Sequence, residues 1–399
     1  MPYDFETVVP RHGTNSAKWE FHKGDPWDRT RPALGDDQVL PMWVADMDFL
    51  CAPAIREALA KRAAHGIYGY TRPTDEYFQV VSDWFRRRQD WEMKPEWIVT
   101  VPGVVTTLNL CVRTFVTPGH KVIIQQPVYH PFPKVVENNG AVVVNNGLVY
   151  ENGRYRMDFD DLAAKAADPL AEMLILCSPH NPVSRVWSPE ELKRLSDICV
   201  ENNVLLVADE LHGDLIYSDA RFTTVASLGE AALQNSIICT APSKAFNLAG
   251  LHLSNIAVPN PGLRDRLQQA VMSTGLYGHN PFSMDAVIAS YRDSEDWLDA
   301  ALAYIEANYR FMAEALAERV PQVSLVKPEG TYMVWLDCRR LGLDDAALED
   351  LMLNKCKLYL NEGYTFGPGG SGFERFNLSC PRSIVEQAVD RLDREINAL

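Results

Sequence analysis

The middle of the chain alternates short apolar runs with longer amphipathic runs. Several of the apolar runs show no alternation of apolar and polar positions, which is typical of strands covered on both faces. The amphipathic runs repeat their apolar residues at helical spacing. This order predicts an α/β fold, a mostly parallel central sheet with helices on both faces. The predicted strands cover residues 97–101, 121–125, 141–145, 172–177, 203–208, 236–240 and 253–258, and the predicted helices 104–115, 189–201 and 263–277.

The two ends of the chain have a different pattern. A long amphipathic run predicts a helix over residues 297–319 and is followed by short apolar runs at 323–326, 331–337 and 375–378. A last helix is predicted after Pro381, and together these elements indicate a smaller α+β domain. The first fifty residues, rich in Pro and Gly, are expected to wrap onto it. The predicted domains are therefore a large domain over 51–290 and a small domain over 1–50 and 291–399.

Composition and charge narrow the class of protein. The 399 residues are 47% apolar and 23% charged, which supports a sizeable core and excludes wholesale disorder. The net charge of −15 repels nucleic acid and anionic lipid, so neither is an expected partner. No apolar run approaches the roughly 20 residues that span a bilayer, and no signal-peptide pattern begins the chain, so we expect a cytoplasmic protein. The eight cysteines form no C-x-x-C pair and predict buried, reduced thiols, with no metal site.

Candidate chemistry begins with a lysine directly after a predicted buried strand. Lys244 lies in the run APSKAFNLAG at residues 241–250, which follows the strand over 236–240. Loss of water lowers the pKa of a lysine and makes its neutral amine available for Schiff-base chemistry. The alternative is a lysine at a strand end that simply reaches solvent.

Two further polar residues also follow predicted strands, where parallel sheets bind ligands. Asp209 comes directly after the strand over 203–208, and its carboxylate is suited to hold a proton on a pyridine nitrogen. The alternative is that Asp209 caps a helix or a turn. Asn181 lies between Pro179 and Pro182, which restrict the turn, and its amide is suited to donate to a phenolate oxygen. A plain proline-rich turn is the alternative for Asn181.

Three weaker signals complete the set. Gly103 separates a strand from a helix, and the N–H groups at such a helix start suit a phosphate. Tyr129 follows another strand and either stacks on a flat ring or belongs to the core. Arg375 interrupts an apolar strand, where its guanidinium either binds a carboxylate or forms an ordinary ion pair.

Taken in this order, the segments resemble the fold type I enzymes that use pyridoxal 5′-phosphate (PLP), over essentially the whole chain. The sequence is most similar to the MalY/PatB-type carbon–sulfur lyases, which are cystathionine β-lyase-like members of the class I/II aminotransferase superfamily. Ser184 stands where that branch usually has Gly, and Ser suits most such turns unless a positive φ is required. The matching runs are PMWVADMDF at 41–49, YGYT at 68–71, SPHNPV at 178–183, RVW at 185–187, EGTY at 329–332 and FER at 373–375.

The resemblance implies a role for each candidate residue. Lys244 would carry PLP, Asp209 would pair with its ring nitrogen, Asn181 would donate to its phenolate oxygen, and Tyr129 would stack on its ring. His212 is also expected among the cofactor-binding residues, at a position where aminotransferases commonly have tyrosine.

The resemblance also implies how phosphate and substrate would be bound. Arg375 would bind the substrate α-carboxylate, and Ala45 would add a backbone contact to it. The expected phosphate ligands are Ser243, the backbone N–H groups of Gly103, Val104 and Val105, and Tyr70 from the other subunit of a homodimer. Many aminotransferases place an arginine toward the phosphate eight residues after the lysine, whereas this chain has His252 there.

The implied activity is α,β-elimination from L-cystathionine or a related S-substituted L-cysteine, with Lys244 and Tyr129 as candidate catalytic residues. A class I/II aminotransferase is the alternative, and a PLP-binding regulatory protein that acts through a protein partner is a third interpretation. Residues 21–36 and 276–282 are expected to shape the pocket beyond the substrate β-carbon.

Overall fold

The computed structural model describes residues 3–22, 38–276 and 278–399. Most of the predicted pocket segment 21–36, and Tyr277 of the other, therefore lie outside the described residues. The chain divides into two compact units, which are described separately below. The large unit comprises residues 51–299 and 329–331, and the small unit comprises 1–50, 300–328 and 332–399.

The secondary structure follows in chain order. The described α-helices are α1 (Ala17–Glu20), α2 (Pro53–His65), α3 (Asp75–Gln89), α4 (Val104–Phe115), α5 (Pro131–Asn138), α6 (Phe159–Ala166), α7 (Pro189–Glu201), α8 (Glu230–Gln234), α9 (Pro261–Ser273), α10 (Pro281–Asp293), α11 (Glu295–Arg319), α12 (Asp345–Asp350) and α13 (Arg382–Ile396). The described strands are β1 (Leu40–Pro41), β2 (Ile98–Val101), β3 (Lys121–Ile124), β4 (Val142–Asn145), β5 (Val149–Glu151), β6 (Arg154–Arg156), β7 (Ala171–Cys177), β8 (Leu205–Asp209), β9 (Ser236–Thr240), β10 (Ser254–Ala257), β11 (Ser324–Leu325), β12 (Met333–Asp337), β13 (Leu358–Tyr359), β14 (Asn361–Glu362) and β15 (Phe373–Asn377).

The large unit is built on a seven-stranded sheet in the order β2-β10-β9-β8-β7-β3-β4. Only β10 runs antiparallel to its neighbours in this sheet, so β2, β9, β8, β7, β3 and β4 all point the same way. On one face Ile175, Val207 and Ile237 pack with Leu108 of α4 and Phe132 of α5. On the other, α7 packs against β8. The mostly parallel α/β sheet predicted from the sequence is confirmed.

The strand and helix ends differ from the prediction for local reasons. The strand predicted over 203–208 is β8, which begins two residues later because Asn203 has a φ of 56°, outside the extended region. It also extends one residue further, so Asp209 is the last strand residue rather than the first loop residue. The helix predicted over 263–277 is α9, which Asn260 caps by accepting hydrogen bonds from the N–H groups of Gly262 and Leu263.

The small unit has its own antiparallel sheet, in the order β11-β12-β15-β14, and a parallel pair formed by β1 and β13. The strand predicted at 375–378 is β15, which begins earlier, at Phe373, so Arg375 lies at its centre. Helix α13 buries one face, with Val385, Val389 and Leu392 in the core.

None of the helices in the described part of the chain has the length and apolar character that a membrane span requires. The predicted cytoplasmic location stays a prediction. All eight cysteines are free thiols, and only Cys51 among them is not buried.

Candidate active site

The loops that follow the parallel strands of the large unit meet at one edge of its sheet. Because these strands point the same way, their carboxyl ends lie together. The loop after β2 carries Gly103, the loop after β3 carries Tyr129, and the loop after β7 carries Asn181. Asp209 ends β8, and Lys244 follows β9 by four residues. Residues more than 140 positions apart in sequence are thus brought to the same edge.

Asp209 is a buried carboxylate at the centre of this edge. It is 7% exposed and lies in register with Cys177 of β7 and Cys239 of β9. Burial raises the pKa of Asp209 to about 6, while a hydrogen bond from the Leu211 N–H at 3.2 Å and the charge of Lys244 act in the opposite direction. A carboxylate in this setting suits a protonated ring nitrogen as its partner.

Lys244 is half-buried in a turn that the sequence holds in place. The Phe246 N–H donates to the Pro242 carbonyl and the Leu248 N–H donates to the Ser243 carbonyl, both at 2.9 Å. The Phe246 ring is buried and packs edge-on against Trp84, with 5.6 Å between ring centroids. The turn is therefore anchored on its core side.

At the start of α4, fewer backbone N–H groups are available to bind a phosphate than the sequence predicted. Gly103 precedes the helix with a φ of 95° and a ψ of 149°, a conformation essentially restricted to glycine. Its N–H donates to the Val101 carbonyl at 2.8 Å, so the expectation that this amide binds phosphate is not supported. The N–H groups of Val104 and Val105, in the first helical turn, have no intrahelical acceptor and suit an anion.

The loop that carries Asn181 is buried and tied to its neighbours. The Ser178 N–H donates to the Asp209 carbonyl at 3.0 Å, and the Asn181 N–H donates to the Cys177 Sγ at 3.3 Å. His180 Nε2 donates to the Gln125 carbonyl at 3.2 Å, which connects this loop to the end of β3. Burial lowers the pKa of His180 to about 3, so the imidazole is neutral.

Beyond Asn181 the turn depends on a buried arginine. Ser184 has a φ of 57°, so it does adopt the left-handed conformation, at a cost of about 1–2 kcal/mol for a residue other than glycine. Arg185 is 2% exposed and lies over the Trp187 ring, 4.8 Å from its centroid. Its guanidinium forms ion pairs with Glu191, at 2.8 Å, and with Glu329. The sequence suggested no structural role for this ion-pair network.

Three of the remaining candidates lie in the large unit. Tyr129 is half-buried, with its ring centroid 5.1 Å from that of His130. His212 is buried three residues after Asp209. Tyr70 is fully exposed, as is expected of a residue that would serve a second subunit, and its role stays a prediction.

Arg375 and Ala45 belong to the small unit. Arg375 is 3% exposed, and its NH2 nitrogen donates to the Trp43 carbonyl at 2.9 Å and to the Asn361 amide oxygen at 2.6 Å. The Ala45 carbonyl accepts a hydrogen bond from the Tyr332 hydroxyl at 3.0 Å. Sequence reasoning missed Asn361, because only the strand register places it beside Arg375.

The fold and this edge of the sheet define the class of protein. Residues 37–392 match the family model described as "Aminotransferase class I and II", and the chain belongs to that family. It is similar to cystathionine beta-lyase PatB of Bacillus subtilis (strain 168), with 41% identity over 389 residues and 98% of each chain covered. It is also similar to Protein MalY of Escherichia coli (strain K12), with 31% identity over the full length of both chains. The predicted resemblance to the MalY/PatB branch is confirmed.

Solved structures agree with this assignment. A PLP-bound putative aminotransferase from Clostridium difficile 630 is 40% identical, with a TM-score of 0.94 and coverage of 99% of this chain and 100% of that one. Cystalysin from Treponema denticola, which contains a pyridoxal 5′-phosphate cofactor, is 34% identical, with a TM-score of 0.94 and full coverage of both chains.

Proposed function

We propose that this protein is a PLP-dependent carbon–sulfur β-lyase that cleaves L-cystathionine or a related S-substituted L-cysteine to a thiol, pyruvate and ammonia. The protein is an enzyme, its cofactor is PLP, and its substrate is an amino acid. The 41% identity to a protein named cystathionine beta-lyase supports the lyase assignment. The structural observation that carries it is the buried Asp209 carboxylate beside the charge of Lys244, at the carboxyl edge of the sheet.

The residues at that edge fit PLP. The Lys244 amine would attach it, the Asp209 carboxylate would hold the proton on its ring nitrogen, and the Asn181 amide would donate to its phenolate oxygen. Tyr129 would stack on its ring, and His212 would lie among the same ligands. The phosphate would be bound by Ser243 and by the N–H groups of Val104 and Val105.

When bound, PLP supplies an electron sink, which accepts the electron pair that is left when a bond to the substrate α-carbon breaks. The Lys244 amine would take the α-proton, and the bond between sulfur and the β-carbon would then break. The departing sulfur needs a proton, for which Tyr129 and Lys244 are both candidates. With L-cystathionine and one water molecule, the balanced products are homocysteine, pyruvate and ammonia.

Arg375 is the proposed ligand of the substrate α-carboxylate. The Arg375 guanidinium matches a carboxylate in shape and charge. Ala45 would contribute a backbone contact from the segment that the Tyr332 hydroxyl holds.

The test is pyruvate release from L-cystathionine by the PLP-loaded protein, with no 2-oxo acid added. Multiple-turnover pyruvate is the expected result. Lys244→Ala, as the control, should release none and lose the absorption band that depends on the bond between PLP and Lys244. A PLP-loaded protein that releases no pyruvate but exchanges amino groups with a 2-oxo acid would be an aminotransferase, and the lyase proposal would fail.

A homodimer with Tyr70 contributed to the neighbouring active site is part of the proposal. Its support is the full exposure of Tyr70, beside the exposed Ile67 and Tyr68. Mixing inactive Lys244→Ala subunits with Tyr70→Ala subunits should restore activity, because a mixed dimer has one site with both residues intact. No recovery after subunit exchange would contradict the role given to Tyr70.

A further inference from the structure

The contacts of Arg375 within the small unit include hydrogen bonds to two neutral acceptors. Asn361 on β14 and Arg375 on β15 are register partners in the antiparallel sheet. The Asn361 amide oxygen and the Trp43 carbonyl both accept hydrogen bonds from the NH2 nitrogen of Arg375, at 2.6 Å and 2.9 Å. The Phe366 ring lies against the guanidinium, 4.9 Å from its centroid to Cζ. These contacts define both the position and the plane of the guanidinium.

The Trp43 carbonyl is itself well anchored. The Trp43 indole N–H donates to the Lys18 carbonyl at 3.1 Å, and its ring packs on Tyr359, with 5.4 Å between centroids. One residue earlier, the Met42 N–H donates to the Tyr359 carbonyl at 2.9 Å. The backbone acceptor would therefore stay in place if the amide acceptor were removed.

The other acceptor, the Asn361 side chain, is a neutral amide rather than a carboxylate. Asn361 is 6% exposed, and a carboxylate there would form a buried ion pair with Arg375, as Glu191 does with Arg185 in the large unit. An amide oxygen accepts the same hydrogen bond without contributing a negative charge. It therefore orients the guanidinium without adding a negative charge that would weaken its attraction for an incoming carboxylate.

We infer that Asn361 is a positioning residue for substrate binding: it fixes the Arg375 guanidinium for the substrate α-carboxylate without neutralising it. This inference rests on the proposed function, because it assumes that Arg375 receives that carboxylate. Asn361 itself need not touch the substrate.

Two variants separate orientation from charge. Asn361→Ala removes the acceptor, and Asn361→Asp keeps an acceptor of the same shape but adds a charge. Asn308→Ala is the matched control, because Asn308 is buried in α11 of the same unit and accepts a hydrogen bond from Arg382 Nε at 2.7 Å. Each PLP-loaded protein is assayed for kcat and KM with L-cystathionine. S-methyl-L-cysteine is itself an S-substituted L-cysteine and would be turned over. Its binding, and that of S-methylcysteamine, which lacks the carboxylate, is therefore measured as the rapid change in cofactor absorbance that precedes pyruvate release.

We expect Asn361→Ala to raise KM about tenfold, the effect of losing one hydrogen bond to a charged group, with kcat within about threefold of wild type. Asn361→Asp should raise KM at least as much. Both should weaken S-methyl-L-cysteine binding and leave S-methylcysteamine binding unchanged. Asn308→Ala should lower the melting temperature and leave KM unchanged.

The inference is overturned if Asn361→Asp has the KM of wild type, since the neutrality of the amide would then have no function. Equal loss of affinity for both S-methyl ligands, or an equal KM increase in Asn308→Ala, would overturn it as well. If wild type released no pyruvate yet bound S-methyl-L-cysteine through its carboxylate, the lyase proposal would fail, and the binding measurements would still decide the role of Asn361.

Discussion

Replacing Asp209 with Asn should stabilise the cofactor-free protein while removing its activity. The carboxylate is buried at the end of β8, where its hydrogen bond comes from the Leu211 N–H. A carboxamide oxygen accepts the same hydrogen bond without carrying a charge. The substitution therefore removes the cost of burying a charge and keeps the local geometry.

The size of the effect follows from the pKa shift. Burial raises the pKa of Asp209 from 3.8 to about 6, a change that corresponds to about 3 kcal/mol. Because the folded-state pKa is the higher one, the folded protein binds the proton more tightly than the unfolded chain. The contribution of Asp209 to folding stability is then most favourable below pH 3.8, becomes less favourable as the pH rises toward 6, and levels off above it. The advantage of the Asn variant is about 3 kcal/mol at pH 8 and about 1.5 kcal/mol at pH 5.

The assay is urea unfolding of the PLP-free protein at pH 5, 6, 7 and 8, for wild type and Asp209→Asn. Asp160→Asn serves as the control, because the Asp160 side chain is 98% exposed and its replacement removes no buried charge. PLP binding and pyruvate release are measured in parallel and should both be impaired in Asp209→Asn, since the ring nitrogen loses its anionic partner.

An Asp209→Asn protein no more stable than wild type at pH 8 would refute the reasoning. So would a stability gain that is the same at pH 5 and pH 8. Either result would mean that the Asp209 carboxylate is not destabilised by burial in the absence of PLP.

Further predictions concern the turns that support the site. Gly103→Ala forces a side chain into a conformation essentially restricted to glycine, at a cost of about 1–3 kcal/mol, and should weaken PLP binding in a cofactor titration; unchanged affinity would contradict this. Arg185→Ala leaves two carboxylates without their buried partner and should lower the free energy of unfolding by about 3–5 kcal/mol. Arg194→Ala, at an exposed ion pair, is the control and should lower it by less than about 1 kcal/mol. Equal losses for the two variants in urea unfolding would be inconsistent with the ion-pair network. Trp187→Phe removes the donor to the Cys177 carbonyl, which lies at 3.0 Å, and should cost about 1–3 kcal/mol in thermal unfolding; an unchanged melting temperature would argue against it.

Much of the fold was predictable because the signals are local. Buried strands are apolar along their length and helices repeat their apolar residues at a fixed spacing, so the centres of β3, β7, β8 and β9 were located correctly. Strand ends were harder, since they depend on single backbone conformations such as the positive φ of Asn203. The large unit also includes residues 329–331, a return of the chain that no local pattern indicates.

The candidate site was predictable in part. Lys244, Asp209 and Asn181 each follow a buried strand, a relation that is visible along the chain. That the Gly103 amide is already bonded to Val101 depends on the conformation of one turn, and sequence reasoning missed it.

The order of amino acids is enough to predict the strand–helix alternation, the family, and the order in which the candidate residues occur, because each of these is a property of neighbouring positions. Contacts between distant residues become visible only in the folded chain: strand register places Asn361 beside Arg375, and Glu329 lies beside Arg185 across 144 positions. Burial, charge pairing and hydrogen bonding all depend on distances in space. These distances are defined only once the sheets have formed.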